Sequence, residues 1–394
     1  MTTSAELTLT AGVQHWETEE RGRTMGSDFR LPGPTPLPPQ VMAAMQREMI
    51  PHRGPVFFNL YRSILNRAKA VHLTDGDVFL WPASGSAGWE IGIVNLLSPG
   101  DLVLSVITGA FGARFAQVGE QLGLDVKRVE VPWGQAATPD LVRDALIRYP
   151  DVKAVFLTHN ETSTGVTNPL PELAAVVREH GALVLVDAVS SAAGLPLRMD
   201  EWGLDFVLSG SQKAWMCPPG LVITAIGPRA WDAVGSATFP RFFWDIEAAR
   251  SAATKDMTPT TPPLTLFYAF DAALDMILDE GLEQVWTRHR ELGEMTRAGI
   301  KRLGLRLLAD DAHASNTVTA FYPPEGASAA EVIDRLDQDH GVTVAGGQGK
   351  IANDIIRVGH MGWVDHADMQ RSLDALAATV EAVTGQPQHA VALR

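Results

Sequence analysis

One cysteine, Cys217, is all that the chain of 394 residues contains. No intrachain disulfide can form, no cysteine-based metal site is possible, and the chain suits a reducing compartment such as the cytoplasm. Long apolar runs are missing too, since none approaches the roughly 20 residues that span a bilayer. Positive charge is in deficit: 32 Lys and Arg stand against 46 Asp and Glu, for a net charge of −14. That balance argues against a nucleic-acid surface and against binding acidic membranes. The opening MTTSAELTLTAGVQHWETEE lacks a basic start and an apolar core, so it reads as no signal peptide. No internal repeat is visible, and low complexity is confined to one proline run. These absences leave a soluble, cytoplasmic protein, long enough for two or three domains and a sizeable core.

Residues 1–28 are polar and acidic and read as an N-terminal extension. Leu31–Pro39 (LPGPTPLPP) cannot be helix or central strand, because its prolines lack donors; it is a linker or the backbone wall of a site. A helix is expected over Gln40–Met49, then a surface turn at His52-Arg53-Gly54-Pro55. From Val78 onward short apolar runs alternate with helical patterns. Strands are expected at Val78–Pro82, Leu102–Ile107, Val126–Val131, Ala154–Leu157, Ala182–Val186, Phe206–Leu208 and Leu221–Ile226. Helices are expected at Trp89–Leu97, Phe111–Leu122, Pro139–Arg148 and Leu170–His180. Repeated β–α units predict an α/β fold with a mostly parallel sheet covered by helices. Residues Phe239–Thr265 break the pattern, and an amphipathic helix then runs from Leu266 to Glu280, with Gly281 as its stop. The remainder reads as a smaller α+β unit, with helices near Trp286–Leu303, Ala329–His340 and Met369–Val383. Its strands are expected at Thr317–Phe321, Val342–Ala345 and Ile355–Val358. The expected division is an extension over 1–28, a large unit over 29–280 and a small C-terminal unit over 281–394.

The stretch Gly181–Gly220 organises the rest. Asp187 stands at the carboxyl end of one apolar run, and the run Phe206–Leu208 leads into Ser209-Gly210-Ser211-Gln212-Lys213. Ligands of open α/β sheets lie beyond the carboxyl ends of strands, so Asp187 and Lys213 can face one site. An aspartate after a strand is often only a cap or turn former, and a lysine is usually a solvated charge. Here the lysine sits among Ser, Gly, Gln and Trp, ahead of Cys217-Pro218-Pro219-Gly220, which is no charged surface. A lysine and a carboxylate converging there are what pyridoxal 5'-phosphate (PLP) needs. After Val78–Pro82, the turn Ala83-Ser84-Gly85-Ser86-Ala87-Gly88 opens a helix; such a start seats a phosphate or is simply capped. Thr158–Gly165 (THNETSTG) is a polar cluster at another strand's end.

With these landmarks placed, the chain resembles the class V PLP-dependent aminotransferases, in particular the alanine–glyoxylate and serine–glyoxylate enzymes. The resemblance runs from about Leu31 to Leu376. It rests on Thr158–Gly165, Val186–Ser191 (VDAVSS), Ser209–Lys213 and Arg357-Val358-Gly359-His360-Met361-Gly362. It implies the fold-type I architecture of PLP enzymes, with Lys213 as the Schiff-base lysine and Asp187 as partner of the pyridine nitrogen. Ser86 and Ala87 would give backbone N–H groups to the phosphate, with Gln212 beside it. Phe111 would stack on the cofactor, where many relatives carry Trp. Thr162 matches a hydroxyl near the phenolic oxygen, and Arg357 an arginine that holds the substrate carboxylate. Gly33, in the proline run, belongs to the substrate wall. Thr261 matches a threonine reaching the phosphate from a neighbouring subunit, which implies a homodimer. Relatives with a tyrosine near position 258 differ from this chain, which has Thr258.

The activity implied is transfer of an amino group from alanine or serine to glyoxylate or pyruvate. Close rivals are other class V aminotransferases: ureidoglycine–glyoxylate, pyruvate-linked or phosphonate-linked. A cysteine desulfurase needs a nucleophilic Cys on a C-terminal loop, and Cys217 lies just past the lysine. A PLP-sensing regulator needs a DNA-binding module, and none is visible. A catalytically silent subunit would not keep every expected position filled. No second arginine stands beside the motifs for a distal carboxylate; Arg53 and Arg241 are the candidates.

Overall fold

The structure is a computed structural model that describes residues 28–386. The expected extension therefore lies, apart from Asp28, outside the described residues. Asp28–Phe29 (β1) leads through the proline run to the short helix Pro39–Ala44 (α1) and then Pro55–His72 (α2). Next come Asp77–Pro82 (β2), Gly85–Leu96 (α3), Leu102–Ile107 (β3), Ala110–Gln121 (α4), Asp125–Glu130 (β4), Pro139–Arg148 (α5) and Ala154–Thr158 (β5). A small hairpin, Asn160–Glu161 (β6) and Val166–Thr167 (β7), precedes Leu170–His180 (α6) and Leu183–Asp187 (β8). Met199–Trp202 (α7), Phe206–Gly210 (β9), Leu221–Ile226 (β10), Pro228–Val234 (α8) and Ile246–Ala253 (α9) follow. Two long helices, Leu264–Glu280 (α10) and Leu282–Arg302 (α11), lead to Val318–Phe321 (β11) and Ala329–His340 (α12). The chain closes with Val342–Thr343 (β12), Ala345–Gly346 (β13), Ile356–Gly359 (β14) and His366–Thr384 (α13).

Seven strands pair in the order β2-β10-β9-β8-β5-β3-β4. All neighbours are parallel except those of β10, which runs against both β2 and β9. The reason is local: residues 211–220 join β9 to β10 without the crossover helix that a parallel return needs. Along each strand, alternate residues serve two cores. On β5, Val155 and Leu157 join the cluster with α2, α5, α6 and α10, while Ala154 and Phe156 join the one with α3 and α4. A three-stranded sheet, β11-β14-β13, forms the smaller unit with α11, α12 and α13. No helix among the described residues is long and apolar enough to cross a membrane.

The structure adds the short elements β6, β7, α7, α8 and α9 to those expected, and departs from the expectations in larger ways near Gln40–His72 and at Val342–Ala345. The helix expected over Gln40–Met49 stops at Ala44, and α2 occupies a stretch to which no element had been given. Extended Gly54 precedes Pro55 at its first turn, and Phe57, Tyr61, Ile64, Ala68 and Val71 are buried at helical spacing. The strand expected over Val342–Ala345 is split. Its first half pairs in parallel with β1, and Ala345–Gly346 pairs with β14.

Helix α3 lies unusually close to the sheet. A Cβ at Gly88 would come within 2.8 Å of Leu208 Cβ, and one at Gly92 within 2.8 Å of Phe206 Cε1. Gly88→Val should therefore overpack the α3–β9 contact and cost about 1–3 kcal/mol; an unchanged melting temperature would contradict it. The fold also encloses neutral imidazoles. Burial lowers the pKa of His72 and His159 to about 4, and of His289 and His360 to about 3. These folded-state values lie below the unfolded value, so the unfolded chain takes up protons first as pH falls below about 6.5. Each histidine then withdraws up to about 1.4 kcal/mol per pH unit. The melting temperature should fall between about pH 7 and pH 5, and a flat profile would refute this.

Candidate active site

Strands β2, β3, β5, β8 and β9 end at one cavity of about 180 Å³, lined by Ser84, Gly85, Ser86, Trp89, Phe111, Asn160, Thr162, Asp187, Val189, Gln212 and Lys213. Its floor is the polar hairpin after β5, where every residue from Thr158 to Thr164 is buried. Asp187 ends β8. Its Oδ2 accepts from Trp89 Nε1 at 2.9 Å, and its Oδ1 from the Val189 N–H at 2.9 Å. Burial raises its pKa to about 6, against the pull of those two bonds, and the charge of Glu161 raises it further while Lys213 lowers it.

Lys213 stands opposite in the β9–β10 connection. Its Nζ donates to the Pro32 carbonyl. Burial lowers its pKa to about 8, helped by the Arg357 charge and opposed by Asp187. Gly33 makes this contact possible. Its φ is +112°, and a Cβ there would lie 2.5–2.7 Å from three atoms of the lysine side chain. Behind the lysine, Trp215 is wholly buried between His72 and Phe270, with ring centroids at 5.5 and 5.2 Å. Its Nε1 donates to Ser209 Oγ at 3.2 Å. Cys217 is buried beside it, and burial pushes its thiol pKa up. It is thus a poor nucleophile.

Glu161 is wholly buried, and its carboxylate accepts from the N–H groups of Phe111, Gly112 and Ser163 and from Ser163 Oγ. It thereby caps α4, whose second residue, Phe111, reaches the cavity. Arg357, on β14, is buried; its Nε donates to Gly346 O at 2.7 Å and its Nη1 to Thr162 O at 3.1 Å. Burial lowers its pKa to about 10, with Glu161 opposing. Thr162 Oγ1 donates to Ser190 Oγ at 2.7 Å, and Ser190 Oγ donates to Asn160 O at 2.8 Å.

Of the expected site residues, Ser86, Phe111, Thr162, Asp187, Gln212 and Lys213 line the cavity. Gly33 touches the lysine, and Arg357 bonds the cavity wall at Thr162. The Ala87 N–H is already in a turn bond to Ser84 O at 2.9 Å. Thr261 is exposed in the α9–α10 loop and does not line this cavity. Arg53 donates to Thr258 O, and Arg241 pairs with Glu247; neither lines the cavity. Sequence reasoning missed Trp89, Asn160, Glu161 and the Pro32 carbonyl as parts of the site. Trp89 had a signal, since it lies one turn past the Gly85 helix start.

The residues present fit PLP. One end of the cavity offers an anion seat at the first turn of α3, where no side chain caps the N-terminus and Gly85 and Ser86 line the cavity. Gln212 lines the same cavity, and its side-chain NH2 can donate to an anion there. The middle holds an amine and a fixed carboxylate.

Comparison with known proteins agrees. The profile of the family described as Aminotransferase class-V matches residues 29–360. A protein named soluble hydrogenase, small subunit, from a Synechococcus species is 40% identical, over 89% of this chain and 92% of its own. The L-aspartate–glyoxylate aminotransferase of Paracoccus denitrificans is 38% identical over 91% of each chain. A solved structure named alanine–glyoxylate aminotransferase, from a Nostoc species, superposes with a TM-score of 0.86 at 31% identity, covering 92% of this chain and 97% of that one. With a family match across most of the sequence and a site that suits the chemistry, the chain belongs to the class V aminotransferases.

Proposed function

We propose that this aminotransferase moves an amino group from alanine or serine to glyoxylate first and pyruvate second. The carrying observation is one cavity that holds Lys213 and Asp187 at adjacent strand ends, beside the α3 N-terminus. When bound, PLP supplies an aldehyde carbon that takes the amino group and a ring that takes the electrons released at Cα. Lys213 is its attachment point. Once free, Lys213 Nζ takes the proton from the donor Cα and later returns one to the acceptor Cα. A pKa near 8 leaves part of the amine neutral for this work around pH 7. Asp187, held by Trp89 and Val189, would pair with the ring nitrogen, and with a pKa near 6 it remains a carboxylate at neutral pH.

Arg357 holds the substrate α-carboxylate. Its Nε and Nη1 are spent on carbonyls, and Nη2 has no partner among the described residues. Phe111 would lie against the ring and Thr162 near its phenolic oxygen; Ser86 and Gln212 would hold the phosphate, with Ala87 joining them on release of its turn bond to Ser84 O. Gly33 brings the proline segment against the substrate. Thr261 serves the partner's phosphate in a homodimer, which agrees with its exposure here. The division into units 29–280 and 281–394, and a cytoplasmic location, complete the reading. Among the described residues Arg357, bonded to the cavity wall at Thr162, is the arginine placed for a carboxylate, and no second one lines the cavity, which favours donors without a distal carboxylate.

Borohydride reduction of purified protein, followed by peptide mapping, should find the cofactor on Lys213; a label on another lysine would overturn the assignment. Arg357→Lys should raise KM by the equivalent of about 2–3 kcal/mol, because an ammonium cannot hold the Gly346 and Thr162 carbonyls and still present the donor that Nη2 offers the carboxylate. Unchanged KM for every donor would remove Arg357 from the substrate site. A half-reaction screen reads the substrates directly. Loss of PLP absorbance with alanine or serine, and its return faster with glyoxylate than with 2-oxoglutarate, is the expected outcome. A preference for aspartate, the donor in the Paracoccus relative's name, would overturn the donor half.

A further inference from the structure

Residues 28–35 connect the smaller sheet to the lysine. At one end β1 pairs with β12, Arg30 N–H donates to Thr343 O at 2.8 Å, and Gly359 N–H donates to Arg30 O at 2.7 Å. At the other end buried Thr35 makes two tethers to the lysine loop. Its N–H donates to Gln212 O at 3.1 Å and its Oγ1 to Lys213 O at 3.1 Å. Between these anchors lies the Pro32 carbonyl, the one hydrogen-bond acceptor that Lys213 Nζ has among the described residues.

A buried ammonium needs an acceptor, or it gives up its proton. A backbone carbonyl serves only if its segment is fixed, and proline-bounded Gly33 gives this segment no side chain to fix it. We propose that Thr35 is a positioning residue for Lys213: its two tethers hold the Pro32 carbonyl as the seat of the lysine's free ammonium. The proposal rests on Lys213 being the cofactor's attachment point. The charged groups facing the amine come from other elements: Asp187 on β8 and Arg357 on β14, with Glu161 on β6 acting on both. Residues 31–35 carry none, so the segment acts through its carbonyl.

The sign follows. Losing an acceptor disfavours the ammonium, so a loosened segment lowers the lysine pKa. The test uses full-length protein stripped of cofactor and mixed with PLP across a pH series. The rate of attachment, followed by visible absorbance, rises with the neutral-amine fraction, and borohydride mapping identifies the lysine. Thr35→Val should move the pH midpoint down by about half to one unit, and Thr35→Ser should restore it. Gly359→Ala perturbs the segment from β14, because its Cβ would meet the Leu31 carbonyl and lie 2.9 Å from Pro32 N. It should move the midpoint the same way, and it decides the matter if Thr35→Val does not fold. A lower rate with an unmoved midpoint would mean that the segment is merely structural, and would overturn the proposal alone. A label on another lysine would overturn the underlying assignment and this proposal with it.

Discussion

Four charges buried within reach of one another, without an ion pair among them, govern this site. Lys213, Arg357, Asp187 and Glu161 each lie in nearly dry protein, yet none meets another at salt-bridge distance among the described residues. Neutral dipoles hold each one instead. Glu161 takes the N–H groups that open α4, Asp187 takes an indole and a backbone N–H, Arg357 gives to two carbonyls, and Lys213 gives to one. Direct pairing would have recovered more of the desolvation cost but left the charges spent on each other. Held by dipoles, Lys213 and Asp187 stay available to a ligand in the cavity they line, and the site is preorganised before the ligand arrives.

That arrangement explains why the surrounding chain is built so tightly. The α3 N-terminus reaches the cavity only because Gly88 and Gly92 let the helix lie almost on the sheet. The same closeness lets Trp89, one turn along, reach Asp187. On the other side, Trp215 fills the space behind the lysine loop, so the connection between β9 and β10 rests on a rigid aromatic backing. The buried Cys217 belongs to that backing.

Much of this was legible in the sequence, for definite reasons. Sheet strands announce themselves as short apolar runs, and Pro139–Arg148, Leu170–His180, Leu221–Ile226 and Ala329–His340 were read to the residue. Lys213 and Asp187 were legible because strand ends in an α/β sheet converge. Helix α2 follows a Gly-Pro turn that breaks the local pattern, and its signal lies only in Phe57, Tyr61 and Ile64 repeating at helical spacing. Glu161 was read only as one letter of a motif. Its role depends on α4, which begins far away in sequence, and no local pattern records that. The Pro32 carbonyl was invisible in principle, since a backbone atom has no letter of its own. The split of Val342–Ala345 likewise depends on β1, a partner no window around those residues contains.

The β1–β12 pairing also has a consequence for how the protein is made. Asp28 pairs with Val342, and Ser372 Oγ donates to Asp28 Oδ2 at 2.6 Å, so the segment waits for partners synthesised after the whole seven-stranded sheet. Such a contact has a very long loop to close and is a late event in folding. A nascent chain can complete the seven-stranded sheet, with Asp187 and the lysine loop in place, well before the segment carrying Pro32 is anchored at both ends. The last feature of the site to be assembled is therefore made by a segment synthesised before the sheet itself.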